Sequence, residues 1–330
     1  MFGAGINDAE SESLHFEIDF STAADFSAIV GALDSSDSQA DWEYYNGTSL
    51  VAFPSGGLAS GDQSVETGLV AGTWTGAADG TLYYMRRRPW DGTSYGAYRI
   101  AFDTYPTEVG GTNLPINITG NPVYDGADPL HFTIDFSTTI GFGSPTNFDS
   151  SGSQTNWSYW NGTSILAMPA GGLEVAYQDT EFGWVGYNWT GATANTVYYV
   201  RYKPNGGSYR ARVFKSRKHG ETIIPVNLYG NTIVDGVNPL HFQVDFSLNA
   251  DFSSATSFDT TTAQTDWYYF DGTVFQNFSS GGLATGNQNN DTGCVAFVWS
   301  GATYGEVYYL RYRSWDGSSY SNYRTRKVYT

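Results

Sequence analysis

The feature that most constrains this chain is that it says the same thing three times. Leu14-His15-Phe16-Glu17-Ile18-Asp19-Phe20-Ser21 returns as Leu130-His131-Phe132-Thr133-Ile134-Asp135-Phe136-Ser137, and again as Leu240-His241-Phe242-Gln243-Val244-Asp245-Phe246-Ser247. The offsets are 116 and 110 residues. Other landmarks keep step: Trp42, Trp157 and Trp267, then Trp74, Trp189 and Trp299, then Tyr83-Tyr84, Tyr198-Tyr199 and Tyr308-Tyr309. Any fold must be buildable from three like units. A period near 110 is too long for a solenoid repeat and is the size of a small β-sandwich.

Within each unit the pattern has period two. Leu130, Phe132, Ile134 and Phe136 fall on one face of a strand, and His131, Thr133, Asp135 and Ser137 on the other. Turn signals Asn46-Gly47, Asn161-Gly162 and Asp271-Gly272 separate apolar runs, as in hairpins with type I′ turns. Aromatics at 17%, with 39 glycines, suit an all-β protein and exclude disorder. A single cysteine excludes a disulfide scaffold and a cysteine-based zinc site. No apolar run is long enough to cross a membrane as a helix. The segment Met1-Phe2-Gly3-Ala4-Gly5-Ile6-Asn7-Asp8 has neither the basic nor the apolar stretch of a secretory signal.

The last hairpin of each unit carries a family resemblance. Tyr308-Tyr309-Leu310-Arg311-Tyr312-Arg313, then Trp315-Asp316-Gly317 and Tyr320-Ser321, resembles the F–G hairpin of a fibronectin type III domain. The opening Leu-His-Phe-x-Ile/Val-Asp-Phe-Ser resembles the strand C region of bacterial and phage members of that superfamily. In repeat 2, Pro204-Asn205-Gly206-Gly207 replaces Trp-Asp-Gly, so its turn should differ. The resemblance implies an all-β chain of three tandem fibronectin type III-like (Ig-like) antiparallel β-sandwich domains, each of about seven strands. The expected domains are 1–105, 106–219 and 220–330. Leu114-Pro115-Ile116-Asn117-Ile118-Thr119-Gly120 and Ile224-Pro225-Val226-Asn227-Leu228-Tyr229-Gly230 have no counterpart before Leu14 or after Tyr323, so a terminal repeat should lack a strand.

Charge is segregated. The 16 Lys and Arg against 33 Asp and Glu give a net −17, which disfavours non-specific nucleic-acid binding. All the cations lie in 86–99, 201–218 and 311–327, where the only acids are Asp91 and Asp316. Alternation places Tyr309, Arg311 and Arg313 on one face of a strand, read as solvent-side. Arg86, Arg88, Arg201, Lys203, Arg311 and Arg313 are therefore the candidate interaction surface. They should meet acidic surface on an adjoining repeat or another subunit. The rival reading is a local habit, arginine stems covering tyrosine faces, copied by duplication.

Little in the sequence points to catalysis. His15, His131 and His241 recur once per unit, too few for a metal site, and His219 stands in a linker. Asp34-Ser35-Ser36-Asp37 has the oxygens for Ca²⁺, but repeat 3 has Asp259-Thr260-Thr261-Thr262 there, so a solvated turn is expected. No nucleophile-elbow, zincin or phosphate-loop pattern occurs. Neither an enzyme nor a cofactor is expected. Trp90 and Trp315, at hairpin turns, and Trp160 and Trp184, unique to repeat 2, are the candidate glycan contacts.

The combined expectation is a non-enzymatic structural or adhesive virion protein, as a capsid decoration, fibre or tail component of a bacteriophage. Its partners would be copies of itself, other virion proteins and host-surface glycans, within a larger assembly. No nucleic acid and no membrane insertion is expected. The alternatives are an extracellular bacterial surface adhesin or filament subunit, and a carbohydrate-binding module array.

Overall fold

The computed structural model describes residues 12–64, 68–104, 112–216 and 222–330. Repeat 1 supplies β1 (His15–Ser21), β2 (Ile29–Asp34), β3 (Trp42–Tyr45), β4 (Leu50–Ala52), β5 (Val70–Gly72), β6 (Leu82–Trp90) and β7 (Arg99–Thr104). Repeat 2 supplies β8 (Leu114–Thr119), β9 (Phe132–Ser137), β10 (Thr146–Asp149), β11 (Trp157–Trp160), β12 (Ile165–Ala167), β13 (Trp184–Trp189), β14 (Val197–Pro204) and β15 (Arg210–Lys215). Repeat 3 follows suit with β16 (Ile224–Leu228), β17 (His241–Ser247), β18 (Thr256–Asp259), β19 (Trp267–Phe270), β20 (Phe275–Asn277), β21 (Val295–Trp299), β22 (Val307–Trp315) and β23 (Arg324–Tyr329).

The strands form six antiparallel sheets, two from each repeat. In ring order they are blade 1 (β4-β3-β5), blade 2 (β2-β1-β6-β7), blade 3 (β12-β11-β13-β8), blade 4 (β10-β9-β14-β15), blade 5 (β16-β21-β19-β20) and blade 6 (β18-β17-β22-β23). Chain order and ring order differ, because the chain lays β1 and β2 in one sheet, crosses to the other for β3 to β5 and returns for β6 and β7, and repeats 2 and 3 do the same after β8 or β16 has joined the sheet of β11–β13 or β19–β21. Blade 1 has three strands among the described residues, where blades 3 and 5 have β8 and β16 as a fourth.

Every sheet packs on both faces. Blades 1 and 2 share a core of Phe16, Trp42 and Val70. Blades 3 and 4 share Phe132, Trp157, Tyr187 and Val200, and blades 5 and 6 share the equivalent Phe242, Trp267, Phe297 and Leu310. These are the faces a sandwich would bury. The opposite faces are buried too: Phe102 against Trp184 between blades 2 and 3, Tyr199 and Val213 against Phe275 between blades 4 and 5, and Tyr45 and Leu50 against Phe252 between blades 6 and 1. Three equivalent backbone bonds stitch these seams. Ile165 N–H donates to Ala24 C=O, Phe275 N–H to Ile140 C=O, and Leu50 N–H to Ala250 C=O, at 3.0, 3.0 and 3.1 Å. The last of them joins repeat 3 back to repeat 1, so the stack is a closed ring.

The three tandem fibronectin-like sandwiches therefore do not form; the chain is a six-bladed β-propeller. The physical reason is visible on β14. Tyr198, Val200 and Tyr202 face one core, but Val197 and Tyr199 on the other side are also packed. A sheet apolar on both faces needs neighbours on both faces. The hairpin turns differ in detail as well. Gly47, Gly162 and Gly272 have φ near +97 to +99°, but the residues before them do not adopt positive φ. These are four-residue loops held by the preceding side chain, as where Asn46 Oδ1 accepts the N–H groups of Thr48 and Ser49 at 3.0 Å.

Candidate functional site

Of the six cations singled out from sequence, Arg86, Arg201 and Arg311 lie at blade seams, while Arg88, Lys203 and Arg313 rest on side chains of their own blades. The five arginines pair mainly along their own sheets. Asp19 accepts Arg86 Nε, Asp135 accepts Arg201 Nε and Asp245 accepts Arg311 Nε, all at 2.8 Å. Glu17 accepts Arg88 Nε at 2.8 Å, and Gln243 accepts Arg313 Nε at 3.0 Å. Register dictates this, because β1 and β6 place Asp19 opposite Arg86 and Glu17 opposite Arg88. Aromatic rings cap the guanidinium planes: Arg86 over Phe26 and Tyr98, Arg201 over Phe142 and Tyr209, Arg311 over Phe252 and Tyr323, all within 4.7 Å of the ring centre. Lys203 sits 4.7 Å over Tyr209. Arg201 also donates to the Thr273 carbonyl of repeat 3, so this ladder reaches across a seam.

The tryptophans divide. Trp160 and Trp184 are buried between blades 2 and 3, where Trp184 Nε1 donates to Asn117 Oδ1 at 2.8 Å. Trp90 and Trp315 are half-buried at hairpin ends, each bridged to an exposed tyrosine, Tyr95 or Tyr320, and flanked by His15 or His241. The histidines face hydroxyls: Ser35, Ser150 and Thr260 lie 3.5, 3.5 and 3.2 Å from their Nδ1 atoms. His219 lies outside the described residues. Asp34 Oδ1 accepts both groups of Ser36 within its own turn. Among the described residues, no group of three His, Cys, Asp or Glu could hold a metal ion.

What the sequence did not disclose is the cationic interior of the ring. Edge strands β7, β8, β15, β16 and β23, from all three repeats, surround one cavity of about 360 Å³. Asparagines of two of them cap their neighbours: Asn117 bonds both main-chain groups of Phe102, and Asn227 both of Val213. Next to this cavity, Arg326 donates to Tyr229 Oη at 2.8 Å, and Arg212 lies 5.2 Å from the same ring. Burial pushes the Tyr229 phenol up, but Arg326 and Arg212 outweigh it and leave it below its usual value.

A second cavity, of about 300 Å³, opens between blades 1, 2 and 6. Arg87, Arg99, Arg326 and Lys327 line it. Three of these are engaged: Arg99 with Glu181, Lys327 with Glu43, and Arg326 with Tyr229. Arg87 has no carboxylate partner among the described residues, and its strand register places it beside Arg99. Burial and the Arg99 charge push its guanidinium down to about 10. The signal for Arg87 was present in the repeats: it stands where Tyr202 and Tyr312 stand in the others, a polar break in a threefold pattern.

No family model matches the chain, and no curated protein matches it. Among solved structures, the FN1–FN3 domains of chicken CNTN1 align over 98% of this chain and 91% of theirs, at 11% identity and a TM-score of 0.21. Domains A168–A170 of titin align over 97% and 99%, at 11% identity and a TM-score of 0.16. Both similarities are too slight to bear on the fold. The expected fibronectin and Ig-like fold conflicts with the closed ring, and the bacteriophage virion origin expected from it has no support.

Proposed function

We propose that the protein is a non-catalytic structural or adhesive scaffold, a rigid ring that presents its outer surface to partner proteins. One observation supports this reading. The side chains that recur in every repeat are spent on architecture: carboxylate, arginine and aromatic ring form the same stack at three seams. Fixing these long side chains removes freedom that a mobile site would keep. A second reading, glycan binding, draws on the half-exposed Trp90–Tyr95 and Trp315–Tyr320 pairs, whose rings offer apolar platforms beside polar turns.

The test immobilises the full chain and measures surface plasmon resonance against cell-surface proteins and polysaccharides, beside a turnover screen with hydrolase and transferase substrates. Saturable protein binding without turnover is expected. Turnover that follows the chain through purification and vanishes on unfolding would overturn the reading. Binding confined to polysaccharides, and lost in a Trp90→Ala/Trp315→Ala double variant, would favour the second.

A further inference from the structure

We propose that the cavity between blades 1, 2 and 6 binds a small amphiphilic carboxylate, its acid head on Arg87 and its apolar body on the floor of the cavity. This goes beyond the scaffold reading and does not depend on it.

The head-group argument starts from Arg87. A guanidinium walled by protein yet reached by water, with no carboxylate opposite it among the described residues, is costly to keep. The equivalent positions hold Tyr202 and Tyr312, each 2% exposed and packed into the cores of their repeats. Tyrosine would thus suit the fold at this position, and arginine needs another reason. Its neighbours sharpen the point. Arg99 is directly opposite on β7, and Arg326 and Lys327 complete the lining. These three are matched by Glu181, Tyr229 and Glu43, which among the described residues leaves Arg87 as the cation able to take a new partner. Its guanidinium, pushed down first by burial and then by Arg99, agrees, since a bound anion would offset both. Arginine also offers the two-pronged geometry that a carboxylate matches.

The body argument starts from the floor. Ile18, Phe20, Leu69, Ala71 and Met85 line the same cavity. Gly72 stands where Tyr187 and Phe297 stand in the other repeats, and here Leu33, Ile18 and Trp42 close over the position instead, so it belongs to the apolar floor. A volume of about 300 Å³ lies at the small end of ligand cavities. That suits a short acyl or branched chain and excludes a bulky one. A bare inorganic anion would leave the floor uncovered, and a neutral apolar molecule would leave Arg87 unanswered.

The experiment is isothermal titration of the full chain with decanoate, with decanol and inorganic phosphate as half-ligands, repeated on Arg87→Met. Decanoate should bind at least about tenfold more tightly than either half-ligand, and Arg87→Met should lose at least about tenfold for decanoate alone, the weight of one charged hydrogen bond. Arg87→Met should fold, because it replaces a stranded charge with an apolar chain of similar length. If it does not, Arg87→Lys keeps the charge and removes the fork, and should still weaken decanoate severalfold. Decanoate binding that ignores both substitutions overturns the proposal. So does decanol binding as tightly as decanoate, which removes the head group, or phosphate doing so, which removes the body.

Discussion

The three arginine–aspartate ladders are the same pair in three settings, so one substitution made three times measures what the settings contribute. Asp245 has a side chain 2% exposed and accepts Arg311 Nε at 2.8 Å, Ser257 Oγ at 2.7 Å and Gln243 Nε2 at 2.9 Å. Asp135 is 5% exposed and accepts Arg201 Nε at 2.8 Å and Asn147 Nδ2 at 2.6 Å. Asp19 is 19% exposed and accepts Arg86 Nε at 2.8 Å, with no second side chain among the described residues. Replacing each by alanine removes these bonds and strands the arginine. A buried stranded charge costs about 3–5 kcal/mol, and an exposed pair contributes about 0–1. The arginines are themselves 17–23% exposed and can turn partly to water, which lowers the upper figure. Asp245→Ala should therefore cost about 3 kcal/mol, Asp135→Ala about 2–3 and Asp19→Ala about 1. Urea unfolding followed by tryptophan fluorescence measures this, with midpoints compared at constant slope. Equal losses at the three sites, or the reverse order, would show that burial and donor count do not set the strength of these ladders.

Other outcomes follow from single residues. A Cβ at Gly186 would run into the rings of Phe102 and Trp184, so Gly186→Ala should lower stability by about 1–3 kcal/mol, while Gly162→Ala, with open space but φ of +98°, should cost less; thermal melts compare the two. Asp271 loses some solvation, but the N–H groups of Val274 and Thr273, with the Gln276 and Thr273 side chains, hold it down to about 2. Its folded value lies below its unfolded one, so its contribution is present above about pH 4 and fades as pH falls toward 2; NMR titration of its carboxyl carbon should find the midpoint in that lower range. Burial pushes the Cys294 thiol up to about 12, so a thiol reagent at neutral pH should label it only once the chain unfolds. Rapid labelling of the folded chain would contradict that.

How far the fold was legible follows from what each residue's pattern encodes. The repeats, the strands and the buried Trp42, Trp157 and Trp267 could be read because alternation reports which residues share a face. What covers the second face is not written in alternation. On β22, Tyr309, Arg311 and Arg313 suggested water, because a cation usually marks a wet face. Here Tyr309 packs on the seam between blades 6 and 1, and Arg311 lies 4.5 Å over the Phe252 ring, its charge met by Asp245. A partnered arginine over a ring can line a seam as well as a surface. The ring's interior was hidden for a related reason. Arg326 and Tyr229 are 97 residues apart on adjoining blades of one repeat, and their bond depends on how those two sheets stand side by side, which no local pattern reports. Arg87 was within reach, since the odd residue at a thrice-repeated position needs only an alignment of the repeats with one another.

Because the strands of each repeat alternate between two blades, half a repeat is not a foldable piece. The segment from β3 to β5 lies in the middle of the chain that makes blade 2, so blade 1 cannot be cut away without severing its neighbour. Whatever copied this unit had to copy both blades together. A lineage growing by such copies adds or loses blades in pairs, and its rings would always hold an even number.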